Sequence, residues 1–146
     1  MGLSRVRVVL PALWAGVLLC IALIAAPAPF AALAPADAGR VVSRIFAQEA
    51  YLALLLAAVL FVIERRAARA AAAAGAGSVF SANLVLVFGT LFCTVAGYFA
   101  VQPMLQAARA GQSGASFALL HGVSMGFFAV KTLLVCALAW RVAAPR

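Results

Sequence analysis

Four apolar runs, each long enough to cross a bilayer, constrain this chain more than any other feature. They cover residues 8–33, 45–63, 79–101 and 117–140. A helix needs about 20 apolar residues to traverse the hydrocarbon core. The runs are continuously apolar rather than alternating, so they do not fit the strands of a membrane barrel. Backbone groups find no water inside lipid, and a spanning segment outside a barrel must then be helical. A water-soluble globule is excluded by composition: the 146 residues are 68% hydrophobic and 10% charged, whereas soluble domains run near one half and about one quarter. A small domain has too much surface for its volume to hide that excess. The expectation is a single all-α domain over residues 1–146, an integral membrane bundle of four transmembrane helices in contact with the lipid bilayer.

Three connections separate the runs. Residues 34–44 contain Pro35, Asp37 and Gly39, residues 64–78 contain an alanine tract followed by Gly75 and Gly77, and residues 102–116 contain Pro103, Gly111 and Gly114. The Ala/Gly stretch 67–78 reads as a mobile loop, with some helical extension of the second span through its alanines.

The net charge is +8, but the arginines sit in pairs and triplets between apolar runs rather than on one basic face. That distribution speaks against nucleic-acid binding and for topology signals. Arg5, Arg7, Arg65, Arg66, Arg69, Arg141 and Arg146 fall on one side, and Arg40, Arg44 and Arg109 on the other. Basic excess marks the cytoplasmic side, so both termini are expected in the cytoplasm. Arg5, Arg7 and the run after them also resemble a secretory signal, with Ala34-Pro35-Ala36 as a cleavage site. The run exceeds the usual core of about 7–15 residues, which favours an uncleaved first span.

Ionisable groups within spans are costly and mark functional candidates. Here they are Glu49, His121 and Lys131. At about 1.5 Å rise per residue, Lys131 lies about 15 Å from the cytoplasmic end, Glu49 about 22 Å and His121 about 30 Å. Glu49 thus lies within side-chain reach of either partner, and a Glu49–Lys131 or Glu49–His121 interaction is expected inside the bundle. His121, Ser124, Phe128 and Lys131 share one helix face by their spacing. Thr90, Thr94, Tyr98 and Gln102 form a slanting polar stripe on the third helix. Together the two faces predict a polar cavity in the non-cytoplasmic half. Structural pairing, a substrate or proton path, and interfacial solvation all fit these groups. Intrahelical bonding also fits the threonines.

Small residues mark close helix contact. Gly122 and Gly126 make a G-x-x-x-G, and Gly89, Cys93 and Gly97 make a longer ridge, as do Ala12, Gly16 and Cys20. These ridges suit packing within the bundle, a homo-oligomer, or a membrane-protein partner. Cys20, Cys93 and Cys136 all lie in apolar runs without a C-x-x-C pair, so they read as small packing residues rather than a disulfide framework.

Phosphate-loop, dinucleotide-binding and H-E-x-x-H motifs are absent, and there is one histidine and one aspartate, Asp37, which lies in a connection. A soft-metal site from Cys20, Cys93, Cys136, Met104, Met125 and His121 suits thiol and thioether chemistry, but no spacing supports it. The expectation is a non-catalytic module without cofactor or metal. Small-solute or metal transport through a polar cavity near Glu49 and His121 is the alternative, and a membrane enzyme the third class.

Several segments carry a family resemblance: Leu13-Trp14-Ala15-Gly16 with Ala26-Pro27-Ala28-Pro29-Phe30, Phe46-Ala47-Gln48-Glu49-Ala50-Tyr51, the run from Gly97 through Pro103-Met104, and Leu120-His121-Gly122-Val123-Ser124. Over roughly residues 13–140 the chain resembles domain of unknown function 4149, the transmembrane-protein-205-like family of small bacterial membrane proteins. The resemblance implies a four-helix protein of the bacterial inner membrane and no settled activity. It also implies an uncharged residue where Lys131 stands, which leaves Glu49, Tyr98, Gln102 and His121 as the better family-wide candidates.

Overall fold

A computed structural model describes residues 2–112 and 114–144. Arg146, one of the arginines used for orientation, lies outside the described residues. The chain forms α1 (Leu3–Cys20), a π-helical segment (Ile21–Ala25), α2 (Ala28–Ala32), α3 (Pro35–Ala73), α4 (Ala82–Thr94), a second π-helical segment (Val95–Ala100), α5 (Val101–Arg109) and α6 (Phe117–Ala143). No strand occurs among the described residues. Among the described residues, four helical stretches are long and apolar enough to span a membrane: Ser4–Ala32, Pro35–Ala73, Ala82–Arg109 and Phe117–Ala143. The chain is an all-α bundle of these four helices.

The helices are longer, and the connections shorter, than the apolar runs suggest. Residues 35–44 belong to α3 rather than to a connection. Proline at the start of a helix forfeits only an amide that is orphaned anyway. Asp37 in the first turn complements the helix dipole and pairs with Arg40. Residues 64–73 also continue α3, because alanine is the strongest helix former. The stretch read as the loop 67–78 is therefore helical to Ala73, and the connection proper is residues 74–81. Likewise α5 takes up residues 101–109, leaving 110–116.

Glycine decides two of these ends. Gly75 (φ 70°) and Gly111 (φ 69°) adopt the left-handed conformation. At each, the glycine amide and the next amide turn back onto carbonyls of the last helical turn: Gly75 to Ala72 and Ala76 to Ala71, Gly111 to Ala108 and Gln112 to Ala107. This closure satisfies orphan carbonyls and favours glycine for its lack of a Cβ. Serines start the next helices, with Ser81 Oγ accepting from the Leu84 amide and Ser116 Oγ from the Leu119 amide.

Both π-helical segments lie just ahead of prolines, Pro27 and Pro103. Proline removes an amide and crowds the carbonyl one turn back, and a local widening relieves that break.

α6 packs along α1 and α4, while α3 packs along α4, α1 and α2. The four stretches therefore follow one another around the bundle, and α3 and α6 face each other across its diagonal. Trp14, Leu18, Ala53, Ala57, Leu60, Val87, Val135 and Leu138 form the buried core. The outer surface is apolar, with Leu23 72% and Leu133 69% exposed, as lipid contact requires. Trp140, at 82% exposure near the end of α6, suits an interfacial position. Lipid is as apolar as leucine, so close packing must hold such helices together. Two of the glycines named above make that possible: a Cβ on Gly97 would stand 2.4 Å from Phe127 Cβ, and one on Gly89 2.9 Å from Leu134 Cδ1. Gly122, Gly126 and Gly16 differ, since nothing lies within 4 Å of a Cβ built there. The Gly122/Gly126 ridge therefore does not pack within the bundle; it looks outward because α6 turns the face bearing Lys131, Val135 and Leu138 to the core.

Candidate functional site

The buried stripe of α3 runs Glu49, Ala53, Ala57, Leu60, Glu64 and Ala68, at the three- and four-residue steps that keep a line on one helix face. It places two carboxylates in the interior about 22 Å apart, given 1.5 Å per residue. Each is met by cations from other helices, and the apolar core lies between them.

At the first position, Lys131 Nζ donates to both oxygens of Glu49, at 2.8 Å to Oε1 and 2.6 Å to Oε2. The side chains are 4% and 3% exposed. Of the two partners open to Glu49, Lys131 takes both oxygens. The pair spans the bundle diagonal, because α3 and α6 are not neighbours and only long side chains reach across. Phe46 and Phe128 meet edge-to-face beside it, with ring centroids 5.1 Å apart, and the ammonium stands 5.0 Å over the Phe128 ring. Aromatic faces attract such a cation.

This ion pair floors a cavity of about 120 Å³, where about 10–15 Å³ suffices for one water. Glu49, Tyr98, Gln102, His121, Ser124 and Lys131 all line it. The structure thus brings the six polar candidates of the sequence to one place. Ser43 and Arg109 join them. Gln102 Nε2 donates to Ser43 Oγ at 3.4 Å, linking α5 to α3. Ser124 Oγ donates at 3.1 Å to the carbonyl of Gly97, in the segment where the helical ladder is disturbed. The close approach that Gly97 allows thus brings α6 near enough to satisfy that carbonyl.

The cavity reaches the bundle end formed by the 33–34 and 110–116 connections, since Phe30, Gly39 and Arg109 line it there. His121 is at this mouth and exposed. Its ring stacks on Phe117 at 5.7 Å, and the Arg109 guanidinium stands 4.9 Å over the other aromatic ring of the pair, Phe117. The threonine stripe divides: Thr94 lines the cavity, while Thr90 and Thr94 donate to carbonyls of their own helix, Val87 and Thr90 respectively. Of the soft-metal candidates, only Cys93, Met125 and His121 line the cavity. Cys20 is exposed and Cys136 half-buried. No group of three His, Cys, Asp or Glu ligands occurs among the described residues.

The second buried carboxylate was not visible as a site in the sequence, where Glu64 marks the end of an apolar run. Arg7 grips it with two bonds, Nε to Oε1 at 2.6 Å and Nη2 to Oε2 at 2.7 Å. Asn83 Nδ2 donates to Oε2 at 3.0 Å, and Arg141 Nε donates to Asn83 Oδ1 at 3.1 Å. One network thereby joins α1, α3, α4 and α6. The signal available in sequence was the fifteen-residue spacing of Glu49 and Glu64 with Ala53, Ala57 and Leu60 between them. Arginines read as topology markers concealed it.

A family model described as domain of unknown function (DUF4149) matches residues 9–113, nearly three quarters of the chain, and the chain belongs to that family. Glu49, Glu64, Tyr98 and Gln102 lie within the matched segment, whereas His121, Ser124 and Lys131 on α6 lie beyond it. No curated protein and no solved structure matches the chain.

Proposed function

We propose that this member of the DUF4149 family is a non-catalytic membrane module that admits a small polar solute to the cavity above Glu49 and Lys131. The reading is that it sits in the bacterial inner membrane with both termini in the cytoplasm, so that the cavity opens to the opposite side. One observation carries this: polar side chains from α3, α5, α6 and the π-helical segment before α5 converge on one cavity whose floor is a buried, paired charge. Bonding within the site supports a binding rather than a catalytic role. Ser124 donates to a backbone carbonyl, Lys131 is held by Glu49, and His121 stacks on Phe117, so no nucleophile is paired with a base. The orientation rests on arginine excess at the end bearing Arg5, Arg65, Arg66 and Arg69.

Transport is the second reading, favoured by depth. Lys131 lies about 15 Å into a hydrocarbon core of about 30 Å, near the midplane where transporter sites occur. The core around Trp14, Leu18 and Leu60 would then have to open.

Single cysteines at Gln102 and Ser124, in a chain whose Cys20, Cys93 and Cys136 are replaced by alanine, test both. A membrane-impermeant maleimide applied to oriented vesicles should label them from the non-cytoplasmic side alone. Protection from both sides refutes the cavity as a binding site, and labelling from both sides replaces binding with passage.

A further inference from the structure

The end of the bundle opposite the cavity mouth carries a second depression, of about 670 Å³, that the solute reading does not use. Three guanidinium groups border it, Arg7 from α1, Arg66 from α3 and Arg141 from α6, together with Asn83, Val8 and Val142. We propose that this depression binds the phosphodiester headgroup of an anionic phospholipid.

Charge is the first support. Each acidic side chain of the sequence is already engaged: Asp37 with Arg40, Glu49 with Lys131 and Glu64 with Arg7. Among the described residues the depression thus has three cations against one carboxylate. Donor capacity is the second. Arg7 commits Nε and Nη2 to Glu64, and among the described residues Arg141 commits Nε to Asn83 and keeps its terminal nitrogens. Arg66 bonds no carboxylate among the described residues and is exposed. Guanidinium forks match phosphate oxygens in bidentate fashion. The Glu64–Asn83 network holds two of the three arginines in place, so part of the ordering cost of binding is met in the fold itself.

Position selects a lipid over a free phosphate. The depression lies where α1 and α4 begin and α6 ends, and the exposed Trp140 stands one residue before its Arg141 in sequence, at headgroup level for helices of this length. Val8, 36% exposed, gives it an apolar side on the lipid-facing surface, as an acyl chain leaving the headgroup needs. Basic pockets between transmembrane helices are known to take such headgroups. The inference needs only that the chain lies in a bilayer, and is independent of what enters the cavity.

Full-length protein in neutral detergent, titrated with phosphatidylglycerol and separately with phosphatidylcholine and followed by native mass spectrometry, tests it. Phosphatidylglycerol should bind in preference. Arg66→Gln and Arg141→Gln should each weaken it about fivefold, and the double variant on the order of twenty-fivefold. Arg65→Gln with Arg69→Gln, on the same helix but outside the depression, should change it less than about twofold. Arg66 is exposed and has no side-chain hydrogen bond or ion pair among the described residues, so R66Q keeps the test sound even where R141Q folds poorly. Equal losses from the two arginine pairs would reduce the effect to diffuse charge and overturn the site. Equal binding of phosphatidylcholine would overturn it too, and glycerol 3-phosphate binding as tightly as the lipid would overturn the lipid as occupant.

Discussion

Replacing Lys131 by methionine should be among the most damaging single changes available in this chain. The substitution keeps the volume of the side chain and removes the only cation bonded to Glu49 among the described residues. Glu49 is then a carboxylate 3% exposed, at the floor of a small cavity. Removing one partner of a buried pair costs about 3–5 kcal/mol, a large part of the about 5–15 kcal/mol that holds a typical domain. At about 3 °C per kcal/mol for a chain of this length, the unfolding midpoint in detergent should fall by about 9–15 °C. Glu49→Leu should do comparable harm, by stranding the ammonium. The double variant should recover most of the loss, because replacing both members of a buried pair by apolar groups of similar volume is often neutral. The measurement is thermal unfolding by circular dichroism of the four members of this cycle, and the coupling should exceed about 4 kcal/mol, above the roughly 0.5–3 kcal/mol usual for residues in contact. Single variants within about 1 kcal/mol of the parent, or a double variant showing the sum of the two single losses, would refute the reading of this pair as buried and mutually dependent.

Gly97→Ala should cost about 1–3 kcal/mol through overpacking, since its Cβ would stand 2.4 Å from Phe127 Cβ. Gly122→Ala should be neutral or stabilising by up to about 1 kcal/mol, because nothing lies within 4 Å of it; thermal unfolding of the two variants side by side checks the contrast, and equal effects would contradict the packing. Glu64→Gln keeps the oxygen that accepts from Asn83 and Arg7 Nη2 but removes the charge and turns an amide nitrogen, which cannot accept, toward Arg7 Nε. It should cost about 1.5–3 kcal/mol per charged bond lost and speed proteolysis of the α1 end in detergent; unchanged proteolysis would show that the network does not tie α1 to the bundle. His121→Ala removes only a ring stacked at the cavity mouth, so the unfolding midpoint should stay within about 2 °C of the parent; a larger drop would place His121 in the core instead.

The cavity residues were readable because two periodicities coincide. His121, Ser124, Phe128 and Lys131 recur on one helix face, and polar groups on an otherwise apolar face must find one another or water. Depth counting at a fixed rise per residue brought Glu49 within reach of both Lys131 and His121. It could not choose between them, since that depends on which way the diagonal of the bundle is crossed. The Gly122/Gly126 pair shows the opposite limit. Its spacing is the same as that of a packing ridge, yet α6 is rotated so that Gly89 and Gly97, on the other helix, supply the close approach.

By itself the sequence determined the fold class and the number of helices able to span a membrane, because those follow from chain length and apolar content alone. Tertiary structure decided which charges meet. Glu64 reads as the end of a span until α1 brings Arg7 alongside it and α4 brings Asn83. Partners 19, 57 and 82 residues apart along the chain are set by the order and rotation of packed helices, which no local pattern encodes.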